Sequence, residues 1–252
     1  MKNPKISIIT VIKNNKDLIE KNILSVKNQK YRNFEHIIID GGSTDGSLDI
    51  INKHKNQISH LISEKDNGIY DAMNKGIDMA SGDIIGILNS DDYYYDDALK
   101  TVKSYFENDQ SLDFIFGSVI KHTLMHGYYP NKIYRTFGFY TSHSVGFFIK
   151  SSSQKKLGYY NTKYKYSADY DLFYRMIVKF KMKGISTTKK EVLGFFTPGG
   201  VSSKLKYLDY LNENTQIRLD NGQNKILVWS IHYLRLFKRI FRVIKESMRW
   251  KY

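Results

Sequence analysis

Short apolar runs alternate with helical patterns over the first hundred residues. Lys5 to Lys13 (KISIITVIK) reads as a buried strand, Lys16 to Gln29 as a helix, Phe34 to Asp40 (FEHIIID) as a strand and Thr44 to Lys55 as a helix. The pattern then repeats, with strands at Ile58 to Ser63 and Asp83 to Asn89 and helices at Gly68 to Ala80 and Asp96 to Asn108. Strands separated by helices of this length predict right-handed crossovers, and so an α/β fold with a mostly parallel central sheet covered on both faces. Ligands of such sheets sit beyond the carboxyl ends of the strands.

From Asp113 to Lys121 onward the rhythm changes to hairpin-like pieces rich in Tyr and Phe, expected as antiparallel or mixed additions to the same sheet. A helix is predicted over Ser167 to Lys181, then a strand-like stretch through Phe196, a turn at Thr197 to Gly200 and a helix near Leu205 to Asp220. The expected division is a catalytic domain over 1–200 and a helical extension over 201–252. No repeat and no low-complexity linker interrupts it.

The tail has its own pattern. At about 100° per residue, Ile226, Trp229, Tyr233, Phe237, Ile240, Ile244 and Met248 share one helical face, with Arg235, Lys238, Arg239, Arg242, Lys245 and Arg249 opposite. Charge sharpens this, because the chain carries a formal +14 and residues 225–252 hold eight Lys/Arg against one acid, Glu246. Half of the excess lies in the last ninth of the chain. The tail is expected to lie on an anionic membrane surface; packing on the domain or on a twin subunit, as in a homodimer, is the other reading.

Composition excludes several classes. There is no Cys, which removes disulfides, thiolate metal sites and cysteine nucleophiles. No apolar run reaches the roughly 20 residues of a spanning helix, and the first residues show no signal-peptide core, so a cytoplasmic protein is expected. A pI near 9.5 and 20 Tyr raise nucleic-acid binding. No nucleic-acid partner is expected, because acids occupy the strand ends where a ligand would sit.

Four acidic constellations carry candidate chemistry. Asp40-Gly41-Gly42-Ser43-Thr44-Asp45-Gly46 ends a strand and opens a helix: its glycines turn the chain and its hydroxyls can cap, while Asp40 can accept hydrogen bonds from a nucleobase or ribose. Asn89-Ser90-Asp91-Asp92 places two adjacent carboxylates at another strand end. They suit either a solvated turn or a Mg²⁺ or Mn²⁺ ion shared with a diphosphate. Glu64 to Gly76 follows a third strand, with Asp66 or Asn67 as a cap or as part of the same edge. Asp169, in the first turn of its helix, can complement the helix dipole or act as a general base; Asp171 is the fallback, and His143 reads as structural.

Taken in order, Ile6 to Asn15 (ISIITVIKNN), Ser25 to Ser47, Glu64 to Asp83, Leu88 to Asp92 (LNSDD) and Ala168 to Leu172 (ADYDL) closely resemble family 2 glycosyltransferases. These have the GT-A nucleotide-diphospho-sugar transferase fold, and the likeness is nearest to bacterial enzymes that build O-antigens and capsules. It covers roughly residues 4 to 200. The resemblance implies an inverting, metal-dependent hexosyl- or hexosaminyltransferase moving one sugar from a nucleotide-diphosphate sugar to a saccharide or polyprenyl-diphosphate-linked acceptor. It implies Thr10, Asp40 and Asp66 as donor contacts, Asn89 at the ribose-contact position where the family has Asp, Asp91 as metal ligand assisted by Asp92, and Asp169 as general base beside Ala168. It also implies work at the inner face of the cytoplasmic membrane. A non-catalytic nucleotide-sugar or nucleic-acid binding protein is the alternative.

Overall fold

The computed structural model describes residues 2–134, 139–199 and 206–249, with side chains described to residue 241. Two compact units are present, Met1–Ser203 and Lys204–Tyr252. The first begins with β1 (Ile6–Ile12), α1 (Lys16–Lys27), β2 (Phe34–Asp40), α2 (Ser47–Lys53), β3 (His60–Ser63), α3 (Ile69–Met79) and β4 (Ile84–Ile87). It continues with β5 (Tyr93–Tyr94), α4 (Ala98–Asn108), β6 (Phe114–Phe116), β7 (Ser118–Ile120), β8 (Leu124–Met125), β9 (Phe147–Lys150) and α5 (Ser151–Leu157). Last come α6 (Ala168–Tyr174), a π-helical turn at Arg175–Lys179, β10 (Gly184–Ser186) and β11 (Val192–Phe195).

The main sheet runs β10-β6-β9-β4-β1-β2-β3 and is parallel except for β9, which is antiparallel to both neighbours. β1 is apolar at nearly every position because both of its faces are covered. On one side α1 lays Ile19 and Ile23, one turn apart, against Ile12, Ile38 and Ile51. On the other, α3 approaches β1 so closely that a Cβ on Gly76 would stand 2.3 Å from Ile9 Cγ2. A glycine in mid-helix costs about 1 kcal/mol of helix propensity, and here it is what lets α3 lie against the strand.

The aromatic region departs from expectation. The stretch Asp113 to Lys121 is not one strand: β6 joins the main sheet, Gly117 intervenes, and β7 joins a second sheet ordered β5-β11-β7-β8. The pieces expected as additions to one sheet are thus shared between two. A Cβ on Gly117 would meet Leu193 Cδ1 at 2.0 Å, so the crossing point is packed against β11 without room for a side chain. The helix predicted from Ser167 to Lys181 is α-helical only to Tyr174 and then widens into the π turn.

The second unit pairs α7 (Tyr207–Asp220) with α8 (Lys225–Arg249). α8 buries Val228, Ile231 and His232, and the His232 ring meets Thr215 Oγ1 at 2.9 Å. Tyr207 donates to the Arg235 carbonyl, and the Arg239 guanidinium lies over the Tyr207 ring. The side expected to be solvated and basic is therefore partly the side that packs on α7. Ile244, Met248, Arg242, Lys245 and Arg249 have side chains outside the described residues, as do Gly200 and Leu205 altogether.

Substituting Gly76 by Ala is expected to destabilise the first unit by about 1–3 kcal/mol, because overpacking against Ile9 outweighs the gain in helix propensity. Denaturant unfolding of the variant and the parent checks this; an equal or raised midpoint is the contrary result.

Candidate active site

Parallel pairing brings three loops to one edge, since Ile12 is in register with Asp40 and Asp40 with Ser63. Two asparagines after β1 staple this edge. The Asn14 amide N–H donates to Ser43 Oγ at 2.8 Å, and Asn14 Oδ1 accepts from the Thr44 N–H at 2.8 Å. Asn14 has φ 53°, a conformation that Asn tolerates better than most residues. Asn15 donates from its backbone to Ser47 Oγ and from its side chain to Ser90 Oγ, both at 3.0 Å, so one residue spans two loops. Neither was singled out from the sequence, although both stand in the first quoted motif.

Thr10, expected as a donor contact, is fully buried: its hydroxyl lies 3.1 Å from Asn22 Oδ1 and 2.9 Å from His36 Nε2. In this conformation its hydroxyl belongs to a buried relay. Burial lowers His36 to about 3 and keeps the imidazole neutral, with Nδ1 unpartnered. Beyond Thr10, the Asn22 side-chain amide donates to the Asn89 and Asp92 carbonyls, each at 2.9 Å. A buried chain of polar groups thus runs from β2 through β1 and α1 to the carboxylate loop.

Asp40 is enclosed at its strand end, and its carboxylate accepts from the Ser43 N–H, the Ser43 hydroxyl and the Ser63 hydroxyl. From this conformation it orders the turn and offers no open face to a ligand. Asp66 lies against that turn: a Cβ on Gly41 would stand 2.1 Å from Asp66 Oδ2. Asp66 Oδ1 accepts from the Gly68 N–H, and the half-exposed Lys13 ammonium is 3.9 Å away.

The carboxylate loop is unsettled electrostatically. Burial raises the Asp91 pKa, and its carboxylate accepts no hydrogen bond from another described residue. Burial, with the adjacent Asp91 charge, pushes Asp92 up to about 7, against the Thr197 N–H that donates to Asp92 Oδ1 at 2.8 Å. Asp92 Oδ2 and Asn89 Oδ1 are both enclosed without a hydrogen-bond partner. Asp92 is only 1% exposed, against partial exposure for Asp91. Ser144 fixes the loop from the far side by accepting from the Asn89 N–H at 2.8 Å.

Asp169 stands half-buried at the start of α6. The hydroxyl of Tyr70, on the first turn of α3 just after Asp66, is shared between the Tyr166 carbonyl at 3.1 Å and Asp169 Oδ1 at 3.3 Å, and Tyr140 donates to Oδ2 at 3.1 Å. Burial, with the Asp169 charge, holds the Tyr70 pKa well above the ordinary value, so this phenol stays a donor. Tyr140 and Ser144 belong to one short segment, which ties the Asp169 end of the site to the Asn89 loop. Asp171 is different: it accepts from Arg175 Nε at 2.9 Å, while the same guanidinium binds the Leu157 and Tyr159 carbonyls, so the fallback base is structural. His143 meets Tyr160 OH at 2.7 Å and is also structural. From the sequence Tyr70 reads only as core at i, i+3 spacing with Met73, and Tyr140 and Ser144 carry no signal, because nothing local marks a phenol or hydroxyl that bonds a distant loop.

A family model, "Glycosyl transferase family 2", matches residues 7–170. The chain belongs to that family. Among curated relatives, an uncharacterized glycosyltransferase of Mycobacterium tuberculosis is 41% identical over 92 residues, 36% of this chain and 35% of the relative. A PGL/p-HBAD biosynthesis glycosyltransferase of Mycobacterium bovis is 34% identical over 121 residues, 46% of this chain and 47% of its own length. The chain thus spans between a third and a half of the length of the curated relatives it matches. Among solved structures, S. aureus TarS 1-349 in complex with UDP-GlcNAc superposes with a TM-score of 0.69 at 17% identity, covering 90% of this chain and 70% of that one. Mannosyltransferase PcManGT from Pyrobaculum calidifontis, in complex with GDP-Man and Mn2+, gives a TM-score of 0.66 at 18% identity, covering 92% and 70%. The fold of this family 2 chain is the GT-A fold expected from its motifs.

The buried His36 sets a pH dependence of stability. Unfolded, the imidazole takes up a proton near pH 6.5; folded, it resists until about 3, so the unfolded state binds more protons between those values. Stability is full above pH 6.5 and falls as the pH drops toward 3, by at most about 1.4 kcal/mol per pH unit from this group. Denaturant midpoints at pH 7 and pH 5 for the parent and for His36→Gln measure it. The expected result is a smaller pH effect in the variant.

Proposed function

We propose that the chain is an inverting glycosyltransferase that moves one hexosyl or hexosaminyl group per encounter from a nucleotide-diphosphate sugar to a hydroxyl of a saccharide or polyprenyl-diphosphate-linked acceptor, in surface polysaccharide synthesis. The observation that carries the reading is the pairing of an open carboxylate, Asp91, on the loop after β4 with a second one, Asp169, steadied by two phenols on a different part of the chain. The names of the two structural neighbours, one bound to UDP-GlcNAc and one to GDP-Man, support a nucleotide-sugar donor.

The residues fit a divalent cation. Asp91 has an unengaged carboxylate, and beside it lie the two orphaned acceptors Asn89 Oδ1 and Asp92 Oδ2. Mg²⁺ or Mn²⁺ needs only one or two protein carboxylates, which Asp91 would supply. Bound there, the ion offsets the negative charge that grows on the departing diphosphate. A structural neighbour in complex with GDP-Man and Mn2+ supports a divalent cation as the partner of the donor.

The protein's own share is positioning and proton transfer. As the acceptor oxygen forms its bond to the anomeric carbon, the bond from that carbon to the diphosphate breaks, and the electron pair leaves with the nucleoside diphosphate. The hydroxyl proton passes to Asp169. A single in-line displacement of this kind inverts the anomeric centre. Tyr70 and Tyr140 fix the carboxylate's direction, while Gly41 allows Asp66 to close the nucleotide side.

Two outcomes test the reading. In a thermal-shift screen of nucleotide sugars with Mn²⁺, a ligand at 100 times its dissociation constant is expected to stabilise by about 2.7 kcal/mol. Asp91→Ala is expected to lose that metal-dependent gain while remaining folded; a full gain in excess chelator is the contrary result. Asp169→Asn is expected to keep the donor-induced shift but to lower turnover by on the order of 10²–10⁴. Normal turnover by this variant removes the assignment.

A further inference from the structure

α8 is two-sided in a way that its packing on α7 does not use up. The face that meets α7 is Val228, Ile231 and His232. The opposite face carries Ile226, Trp229, Tyr233, Phe237 and Ile240, exposed by between 43% and 79%, with Leu234 and Phe241 beside them at 60% and 58%. Phe237 and Phe241 touch each other, as do Trp229 and Tyr233, so the face is a continuous apolar strip. Contiguous exposure on this scale marks an interaction site.

The flanks of the strip decide its occupant. Lys225 and Lys238 are exposed, and each stands one residue, about 100° of turn, from Ile226 and Phe237 respectively. The sequence repeats that step, with Arg242 after Phe241 and Lys245 after Ile244. Across residues 225–252 eight bases stand against one acid. A second copy of the strip would bring the same unbalanced charge to the contact, and like charges oppose that association. An anionic lipid surface supplies the opposite charge along the rim and an apolar interior beneath it, and long basic side chains can reach the headgroups while their stems cover apolar surface. No described helix is long and apolar enough to cross a membrane, so the geometry is that of a helix lying in the interface plane. We infer that the exposed strip of α8, from Ile226 to Phe241, docks the protein on an anionic bilayer, with Trp229, Tyr233 and Phe237 inserted and the flanking lysines against the headgroups. This does not rest on the transfer chemistry proposed above.

The test is co-sedimentation of the full chain with vesicles of phosphatidylcholine alone and of phosphatidylcholine mixed with phosphatidylglycerol. Binding is expected to the mixed vesicles only, and to be weakened by salt, because each basic residue near the surface contributes about fivefold in affinity. The double variant Tyr233→Glu with Phe237→Glu places good helix formers at exposed positions and is expected to reduce binding at least about tenfold with the same unfolding midpoint. Its nucleotide-sugar thermal shift is expected to match the parent's, which separates a failure of this surface from a failure of the donor site. The inference is overturned if the full chain stays in the supernatant with mixed vesicles, if the double variant sediments as well as the parent, or if sedimentation velocity shows a dimer that the variant abolishes while the parent ignores the vesicles.

Discussion

The carboxylate loop after β4 leans on the side-chain amide of Asn22. A loop that turns away from a strand end leaves carbonyl groups inside the protein, and each must find a donor or lose the stabilisation of folding. Asn22 supplies donors for two of them, at Asn89 and Asp92, from the same buried face of α1 that packs Ile19 and Ile23 against Ile12 and Ile38. Its carbonyl oxygen is in turn held by Thr10, and Thr10 by the neutral His36 ring. The direction in which Asp91 points is therefore set several residues away, by groups that never meet a ligand. Removing any one of them leaves a buried partner unsatisfied, which costs more than the bond itself gains.

The same edge shows how charge is kept at the cost of stability. Two adjacent carboxylates in a partly buried loop repel, and the Ser144 hydroxyl, the Thr197 N–H and the Lys121 charge relieve this at Asp92 only in part. The remainder appears as a proton held by Asp92 close to neutrality. At the other edge the treatment is opposite. Burial alone would raise Glu35, but the Lys5 ammonium, the Ser7 and Ser81 hydroxyls and the Ser81 N–H outweigh it and hold the acid at about 2. A carboxylate that serves the scaffold is fully paired; the pair at the strand end after β4 is not.

What the sequence made legible follows from what is local. Phe34 to Asp40 was read to the residue because a strand buried on both faces is a closed apolar run, and the acids that end such runs were found as a group. The division of Asp113 to Lys121 between two sheets was not legible, because it turns on Gly117 meeting Leu193, a contact across more than seventy positions. Thr10 is read as a donor contact from its place in a motif, whereas its bonds to Asn22 on α1 and to His36 depend on packing that no local pattern marks. The tail's apolar stripe was legible as a periodicity, whereas the face that α7 would cover was not, since Val228 and Ile231 are no more apolar than the residues left outside.

Gly41 has a meaning beyond the space it leaves. With no side chain there, the Asp66 carboxylate from the loop after β3 lies directly against the turn after β2. A molecule arriving at this edge meets walls already standing, and little chain entropy remains to be lost when it is held. In calorimetric language, the heat capacity change of such an association counts the surface removed from water and not the folding of a loop, which makes this corner of the protein a lock cut before the key arrives.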